Sequence, residues 1–336
     1  MSKNLRMGVV GCGFFGQKHA DCIHQIGNAE LVAVCDINVE AAKALGEKLG
    51  CHWHASHQEM YESEKLDAVS IAVSEAYHLE PAVDAARAGL DILLEKPMAR
   101  NYEEAVMIHQ ACKENHVRLM VAHVCEFDGR YRYTADAIEE GKLGDILSIY
   151  LKRSSTTSCA ERLKGKVSMF HYMGVHDFEA MLLFAKPALP VKVYSSWVAK
   201  KNSYFGAQDT VFNTITFDNG IVACIQLCWA LPESDALGFV ACADVVGTKG
   251  VSYIDIKNQG VEIHTQSGVS YPDLTYWPEY FGHVAGKVRE EIQHFVDNTL
   301  SGAPYLVDTN LAMEAVRTID ACFKSLETGE AVTIER

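Results

Sequence analysis

Gly11, Gly13 and Gly16 have the spacing G-x-G-x-x-G and follow the apolar run Met7-Gly8-Val9-Val10, with Cys12, Phe14 and Phe15 between them. That spacing suits a pyrophosphate. The first glycine makes a tight turn, the second lets the backbone touch the phosphate, and the third lets the next helix pack on the strand. Exposed N–H groups and the dipole at the helix start then hold the negative charge. A second apolar run, Leu31-Val32-Ala33-Val34-Cys35, ends in Asp36. An acid about 20 residues past the motif accepts hydrogen bonds from the adenosine ribose hydroxyls. Asp36 repels a 2′-phosphate, and Ile37-Asn38 offers no arginine to offset that charge. NAD is therefore expected over NADP.

These residues need a parallel sheet behind them, and the first third of the chain supplies its pattern. Helical composition over Val39–Leu49 ends at Gly50, His52-Trp53-His54 is a short strand, and Ser56 caps a brief helix. Ala68–Val73 is a fourth strand whose end opens into Ser74-Glu75-Ala76-Tyr77-His78. In open parallel sheets ligands sit beyond the carboxyl ends of strands, so Val73, Ser74 and His78 border the cofactor. A helix to Ala88 stops at Gly89, and the strand Asp91-Ile92-Leu93-Leu94 ends in Glu95-Lys96-Pro97. Pro97 stops the ladder and leaves Lys96 at the strand tip, facing the same crevice. Asn101 with Glu104 caps a helix to Asn115, and a sixth strand over 118–123 leaves His123 at its end, where it lines a substrate pocket. Six strands separated by helices complete a doubly wound domain over residues 1–123.

The texture then changes. A helix over 131–140 leads to the strand Ile146–Leu151, and the polar stretch Ser154–Lys166 reads as a mobile loop over a site. A helix around Gly174–Ala185 follows. Strand patterns at 191–199, 211–217, 221–229, 239–246 and 251–256, with short turns, imply a large, mainly antiparallel open sheet in an α+β domain over 124–336. Two long helices, 283–300 and 309–326, and a last strand at 331–334 complete it. Helices cover one face of such a sheet, so the other packs on a second subunit and a homodimer or homotetramer is expected. Tyr280 and His283 are polar candidates for the pocket wall.

Bulk properties narrow the function. A chain of 336 residues, 49% hydrophobic and 22% charged, is that of an ordinary globular protein with about two domains. A net charge of −14 disfavours nucleic acid and anionic membrane as partners. No apolar run approaches the roughly 20 residues of a membrane span, and Ser2-Lys3-Asn4 leads directly into a strand with no signal peptide. Eleven cysteines without a signal or a C-x-x-C pair read as free thiols in the cytoplasm. His52, His54 and His57 lack an acid or cysteine at ligand spacing, so no metal is expected. No internal repeat is present.

Together, Gly11-Cys12-Gly13-Phe14-Phe15-Gly16, Asp36, Glu95-Lys96-Pro97 and Gly174-Val175-His176-Asp177 resemble the Gfo/Idh/MocA oxidoreductase family, which includes inositol dehydrogenases and glucose–fructose oxidoreductase. The resemblance covers essentially the whole chain. It implies a Rossmann domain followed by an α/β domain, an NAD-dependent hydride transfer at a secondary alcohol of a sugar or polyol, Lys96 on the reacting hydroxyl, and His176 as general acid/base with Asp177 beside it. Histidine has the intrinsic pKa for that work near neutrality.

Two positions depart from the family pattern. Inositol-dehydrogenase-like members carry an aspartate four residues before the histidine, where this chain has Tyr172. Tyr172 is an auxiliary acid, a substrate hydrogen-bonder or a packing residue. Many relatives have arginine where this chain has Glu126, and an acid there suits a neutral polyol better than a sugar acid. Two rivals to polyol oxidation stand beside it: reduction of a keto-sugar with Tyr172 or His176 as proton donor, and a regulatory protein that binds NAD without turnover.

Overall fold

The computed structural model describes residues 4–235, 238–257, 261–266 and 268–336, so Ser2 and Lys3 of the leader reading lie outside it. By packing, the chain divides into two units. One comprises residues 1–127 and 274–313, the other 128–273 and 314–336.

In the first unit, β1 (Leu5–Val10), α1 (Phe14–Gln25), β2 (Ala29–Cys35), α2 (Val39–Leu49), β3 (His52–His54), α3 (His57–Ser63), β4 (Ala68–Ile71), α4 (Leu79–Arg87), β5 (Asp91–Glu95), α5 (Tyr102–Glu114) and β6 (Leu119–Ala122) alternate. The six strands run parallel in the order β3-β2-β1-β4-β5-β6. Continuous apolar runs dictate this, because helices cover both faces of a parallel sheet and β4 and β6 are buried at every residue. The sequence caps hold. Ser56 accepts the Glu59 N–H and Asn101 that of Glu104, each satisfying an orphan donor of the helix start. The strand order reverses between β1 and β4, which places the ligand crevice at their carboxyl ends.

Helix α9 (Lys287–Ser301) returns to this unit. Its Val288, Ile292, Phe295 and Val296 join Ile23 and Leu31 in one hydrophobic cluster. The single cut after residue 123 read from the sequence does not describe this packing. No local signal in 274–313 marks which core its apolar stripe joins.

The second unit contains α6 (Gly129–Glu139), β7 (Ile146–Thr156), α7 (Thr157–Leu163), α8 (Val175–Ala185), β8 (Pro190–Val198), β9 (Thr210–Phe217), β10 (Val222–Leu231), β11 (Phe239–Gly247) and β12 (Val251–Asp255). Its sheet has the order β12-β11-β7-β10-β9-β8-β13, where β13 is Val332–Thr333. It is antiparallel throughout except for β7 beside β10, so the sheet is mixed. Helix α10 (Thr309–Thr328) spans the packing division at residues 313 and 314.

Residues 154–166 are not a loop. Ser154 and Ser155 continue β7, opposite Val240 and Phe239 of β11, and Thr157–Leu163 is helical. Ladder hydrogen bonds on both sides of β7 outweigh the weak strand preference of serine. Period-two burial separates the two sheet faces. Val211, Ile215, Ile225 and Leu227 are buried, whereas Tyr194, Phe212, Val222, Val246, Val251 and Tyr253 are exposed on the other face.

Candidate active site

The glycine turn is built as the spacing requires. Gly11 has φ +97°, and a Cβ there lies 2.7 Å from the Ala72 carbonyl oxygen. A Cβ on Gly16 lies 1.8 Å from the Gly11 oxygen, so only glycine lets α1 pack this closely. Gly13 is different: its Cβ position has no atom within 4 Å, and Gly13 caps α1 with no side-chain hydrogen bond. The first N–H groups of α1 therefore face an open, positively polarised space that fits a pyrophosphate.

Asp36 is aimed by the backbone. Its Oδ2 accepts the Cys12 N–H at 2.7 Å and its Oδ1 the Asn38 N–H at 2.8 Å. Each carboxylate oxygen keeps acceptor capacity for a ribose hydroxyl. Phe14 and Phe15 meet Trp277 edge-on, with ring centroids 5.8 Å and 5.4 Å away. Trp277 arrives on the returning segment, and sequence reasoning missed it because contacts 260 residues apart leave no local pattern. The residues present fit NAD.

Val73 sits beside this turn, its Cγ1 reaching 3.0 Å from the Gly11 Cβ position. Ser74 turns its hydroxyl to Glu75 at 2.8 Å. His78 is wholly buried. Its Nδ1 lies 3.0 Å from the Pro97 oxygen and its Nε2 3.1 Å from the Val73 oxygen. It therefore ties together the two loops that border the crevice, and its contacts are with protein carbonyls.

Lys96, half-buried, follows the tip of β5 and leads into Pro97. Its N–H donates to Glu95 Oε2 at 3.1 Å, and Glu95 Oε1 receives His19 Nε2 at 3.1 Å. Burial pushes the Glu95 carboxyl up, but the hydrogen bond from His19, with the Lys96 charge beside it, outweighs that and holds it below the usual range. His123, at the end of β6, is fully buried, and neither ring nitrogen has a hydrogen-bond partner among the described residues. Burial, reinforced by the Lys96 charge, pushes its pKa down to about 3. Glu291 on α9 is buried as well. Desolvation and the Glu95 charge push its carboxyl well above the ordinary range.

Two further candidates come on the returning segment. Tyr280 and His283 line a cleft of about 600 Å³ with Asp21, Gln25 and Lys48. Asp21 and Gln25 lie in the last half of the twelve-residue α1, about 10 Å and 16 Å along the axis from its first residue beside the glycine turn. His52 Nδ1 and His54 Nε2 share Glu64 Oε1, at 2.7 Å and 2.9 Å. His57, Glu80 and Asp84 bring ligand-type atoms within 4.8 Å of one another, so acids do meet these histidines. The acids come from other elements, which spacing around 52–57 does not reveal. Gln58 and Arg87 already donate to the Glu80 and Asp84 carboxylates.

The second unit carries the remaining candidates. A π-helical turn, Phe170–Gly174, precedes α8, a device frequent at functional sites. A Cβ on Gly174 lies 2.5 Å from Leu227 Cδ1, so the glycine sets how closely α8 approaches β10. Tyr172 accepts a hydrogen bond from Arg162 Nη2 and packs edge-on against Trp229 at 5.9 Å. His176, half-buried, begins α8. Asp177 is fully buried, and its two oxygens take Arg153 Nε at 2.7 Å and Nη2 at 3.1 Å. Asp177 thus serves Arg153, which sequence reasoning missed. Lys96 lies in the first unit and His176 in the second.

Among the described residues no helix is long and apolar enough to cross a membrane. Comparison with known proteins extends the reading. The Gfo/Idh/MocA family model for an oxidoreductase NAD-binding Rossmann fold matches residues 5–123, and the model for the oxidoreductase C-terminal alpha/beta domain matches 135–334. The chain is 25% identical to myo-inositol 2-dehydrogenase of Thermotoga maritima, over 98% of this chain and 99% of that protein. It is 28% identical to 2,7-anhydro-N-acetylneuraminate hydratase of Escherichia coli, over 75% of this chain and 68% of that protein. The solved scyllo-inositol dehydrogenase of Lactobacillus casei, with bound NAD(H) and scyllo-inositol, superposes with a TM-score of 0.86 over 99% of both chains at 20% identity.

Proposed function

The chain belongs to the Gfo/Idh/MocA oxidoreductase family, and we propose that it is an NAD-dependent dehydrogenase oxidising a secondary alcohol of a sugar, inositol or related polyol. The observation that carries this is Lys96 at the tip of β5, in the parallel sheet that also presents the glycine turn and Asp36. Inositol dehydrogenase relatives support the substrate class.

When bound, NAD supplies the acceptor for the hydride. The rest of the work falls to side chains. Lys96, as ammonium, holds the reacting oxygen and stabilises the charge that develops on it. By the family resemblance, His176 takes the hydroxyl proton. Asp36 selects NAD by holding the ribose hydroxyls and repelling a 2′-phosphate. Reduction of a keto-sugar with Tyr172 as proton donor is the second reading, favoured by the Arg162 hydrogen bond to the Tyr172 oxygen.

The exposed face of the second sheet, where Tyr194, Phe212, Val222, Val246, Val251 and Tyr253 lie open, supports a homodimer or homotetramer. No disulfide joins the eleven cysteines among the described residues, which supports the cytoplasm as the compartment.

The test follows reduced-nicotinamide absorbance with NAD and NADP across a panel of polyols and sugars, in the wild type and in Lys96→Ala. Turnover with NAD on one stereochemical class, lost by about 100-fold or more in the variant, is expected. Turnover intact in Lys96→Ala overturns the site. NAD binding by calorimetry with no turnover in either direction assigns the chain to regulation.

A further inference from the structure

A line of hydrogen bonds runs through the core of the first unit to Lys96. Ser70, in the middle of β4, places its Oγ 2.7 Å from His19 Nδ1 on α1. His19 Nε2 lies 3.1 Å from Glu95 Oε1, and Glu95 Oε2 receives the Lys96 backbone N–H at 3.1 Å. Ser70 and His19 have no solvent exposure, and Glu95 has 8%. Burying three polar groups in an apolar core is costly unless each is hydrogen-bonded, and here each is.

The donors follow from the chemistry. An ionised carboxylate only accepts, so His19 Nε2 carries the hydrogen and donates to Glu95. In the neutral ring Nδ1 then accepts, and the Ser70 hydroxyl must donate to it. Ser70, His19 and Glu95 have the composition of a hydrolytic triad, but that use is excluded. Ser70 lies on a strand flanked by β1 and β5, wholly buried, where no substrate carbonyl reaches its oxygen. What the line does reach is Lys96. His19 sits three residues beyond Gly16, so it also joins the helix of the glycine turn to the lysine-bearing strand tip.

We propose that His19 is a positioning residue, which fixes the Lys96 backbone through Glu95 and registers it against the helix of the glycine turn, with Ser70 holding the His19 tautomer. This rests on the assignment of Lys96 to the reacting oxygen. Misplacing a reacting group by about 1 Å costs up to ~100-fold in rate, so small shifts of the strand tip are felt in turnover and not in cofactor affinity.

The experiment compares His19→Leu, which keeps volume but removes the donor, with His19→Gln, which restores a donor toward Glu95. Expected in His19→Leu is a fall in kcat of about 10- to 100-fold with the NAD Kd by calorimetry unchanged, largely rescued in His19→Gln. Wild-type kcat in a folded His19→Leu, or no rescue by His19→Gln, overturns the proposal. Nitrogen NMR of histidine-labelled wild-type protein supplies a readout independent of turnover and of whether His19→Leu folds. The Nε2–H tautomer of His19 is expected, shifting toward a mixture in Ser70→Ala, and an Nδ1–H tautomer in the wild type overturns the proposal. If the wild type oxidises no polyol, the functional assignment fails by itself. The Lys96 amide resonance, expected to move in His19→Leu and return in His19→Gln, then decides whether the line positions Lys96.

Discussion

Arg153 and Asp177 form a two-bond ion pair inside the second unit, Nε to Oδ2 at 2.7 Å and Nη2 to Oδ1 at 3.1 Å, one residue from His176. Burial raises the Asp177 carboxyl and the Arg153 charge opposes that rise, so the pair stands or falls together. Removing one partner leaves an uncompensated buried charge, which costs about 3–5 kcal/mol. Asp177→Ala is expected to lose that much stability in urea unfolding. The double variant Arg153→Met/Asp177→Leu is expected to lose less than the two single changes summed.

The glycine turn predicts opposite results at two glycines of one motif. Gly16→Ala forces a Cβ within 1.8 Å of the Gly11 oxygen and is expected to lower the melting temperature by several degrees. Gly13→Ala meets no protein atom within 4 Å, so it folds like the wild type. Its methyl fills the space facing the α1 N–H groups, and NAD affinity is expected to fall at least about tenfold, ~1.4 kcal/mol. Calorimetry paired with thermal melts separates the two effects.

Cofactor choice should turn on Asp36 and its exposed neighbour. Asp36→Ser with Ile37→Arg removes the repulsion and supplies a cation for a 2′-phosphate. The ratio of kcat/KM for NADP to that for NAD is expected to rise by about 100-fold or more, the scale of one charge-assisted hydrogen bond of ~3 kcal/mol. An unchanged ratio removes Asp36 from the ribose site.

His123 makes stability fall in acid. Its folded pKa, about 3, lies below the ordinary histidine value of 6.5. As pH drops below 6.5 the unfolded chain binds a proton that the folded chain refuses until about pH 3, so stability is lost across that window. His123→Gln is expected to flatten the slope of unfolding free energy between pH 6 and 4 by about one proton, ~1.4 kcal/mol per pH unit. An unaltered slope means that His123 is protonated in the folded state.

The open face of the second sheet should hold a partner copy. Sedimentation at micromolar concentration is expected to show a dimer or tetramer, and Phe212→Glu, at an exposed position of β9, to reduce its mass. A wild-type monomer under those conditions removes the oligomer.

Much was legible from the chain alone, because its signals are local. Gly11, Gly13 and Gly16 after an apolar run, Asp36 at the end of the second strand and Lys96 before Pro97 each state a backbone or charge requirement within a few residues. Period-two and 3.6-residue patterns likewise located most strands and helices of both sheets. Tertiary structure decided what depends on distant partners. It drew residues 274–313 into the first core. It carried β7 through Ser154 and Ser155, whose ladder partners lie some 80 residues away, and it buried Asp177 against Arg153. It also converted His19 and Ser70, invisible as a pair 51 residues apart, into a line ending at Lys96. Chemistry set by residue type and near neighbours is written in the sequence, whereas burial and hydrogen-bond partnership exist only once the chain has closed on itself.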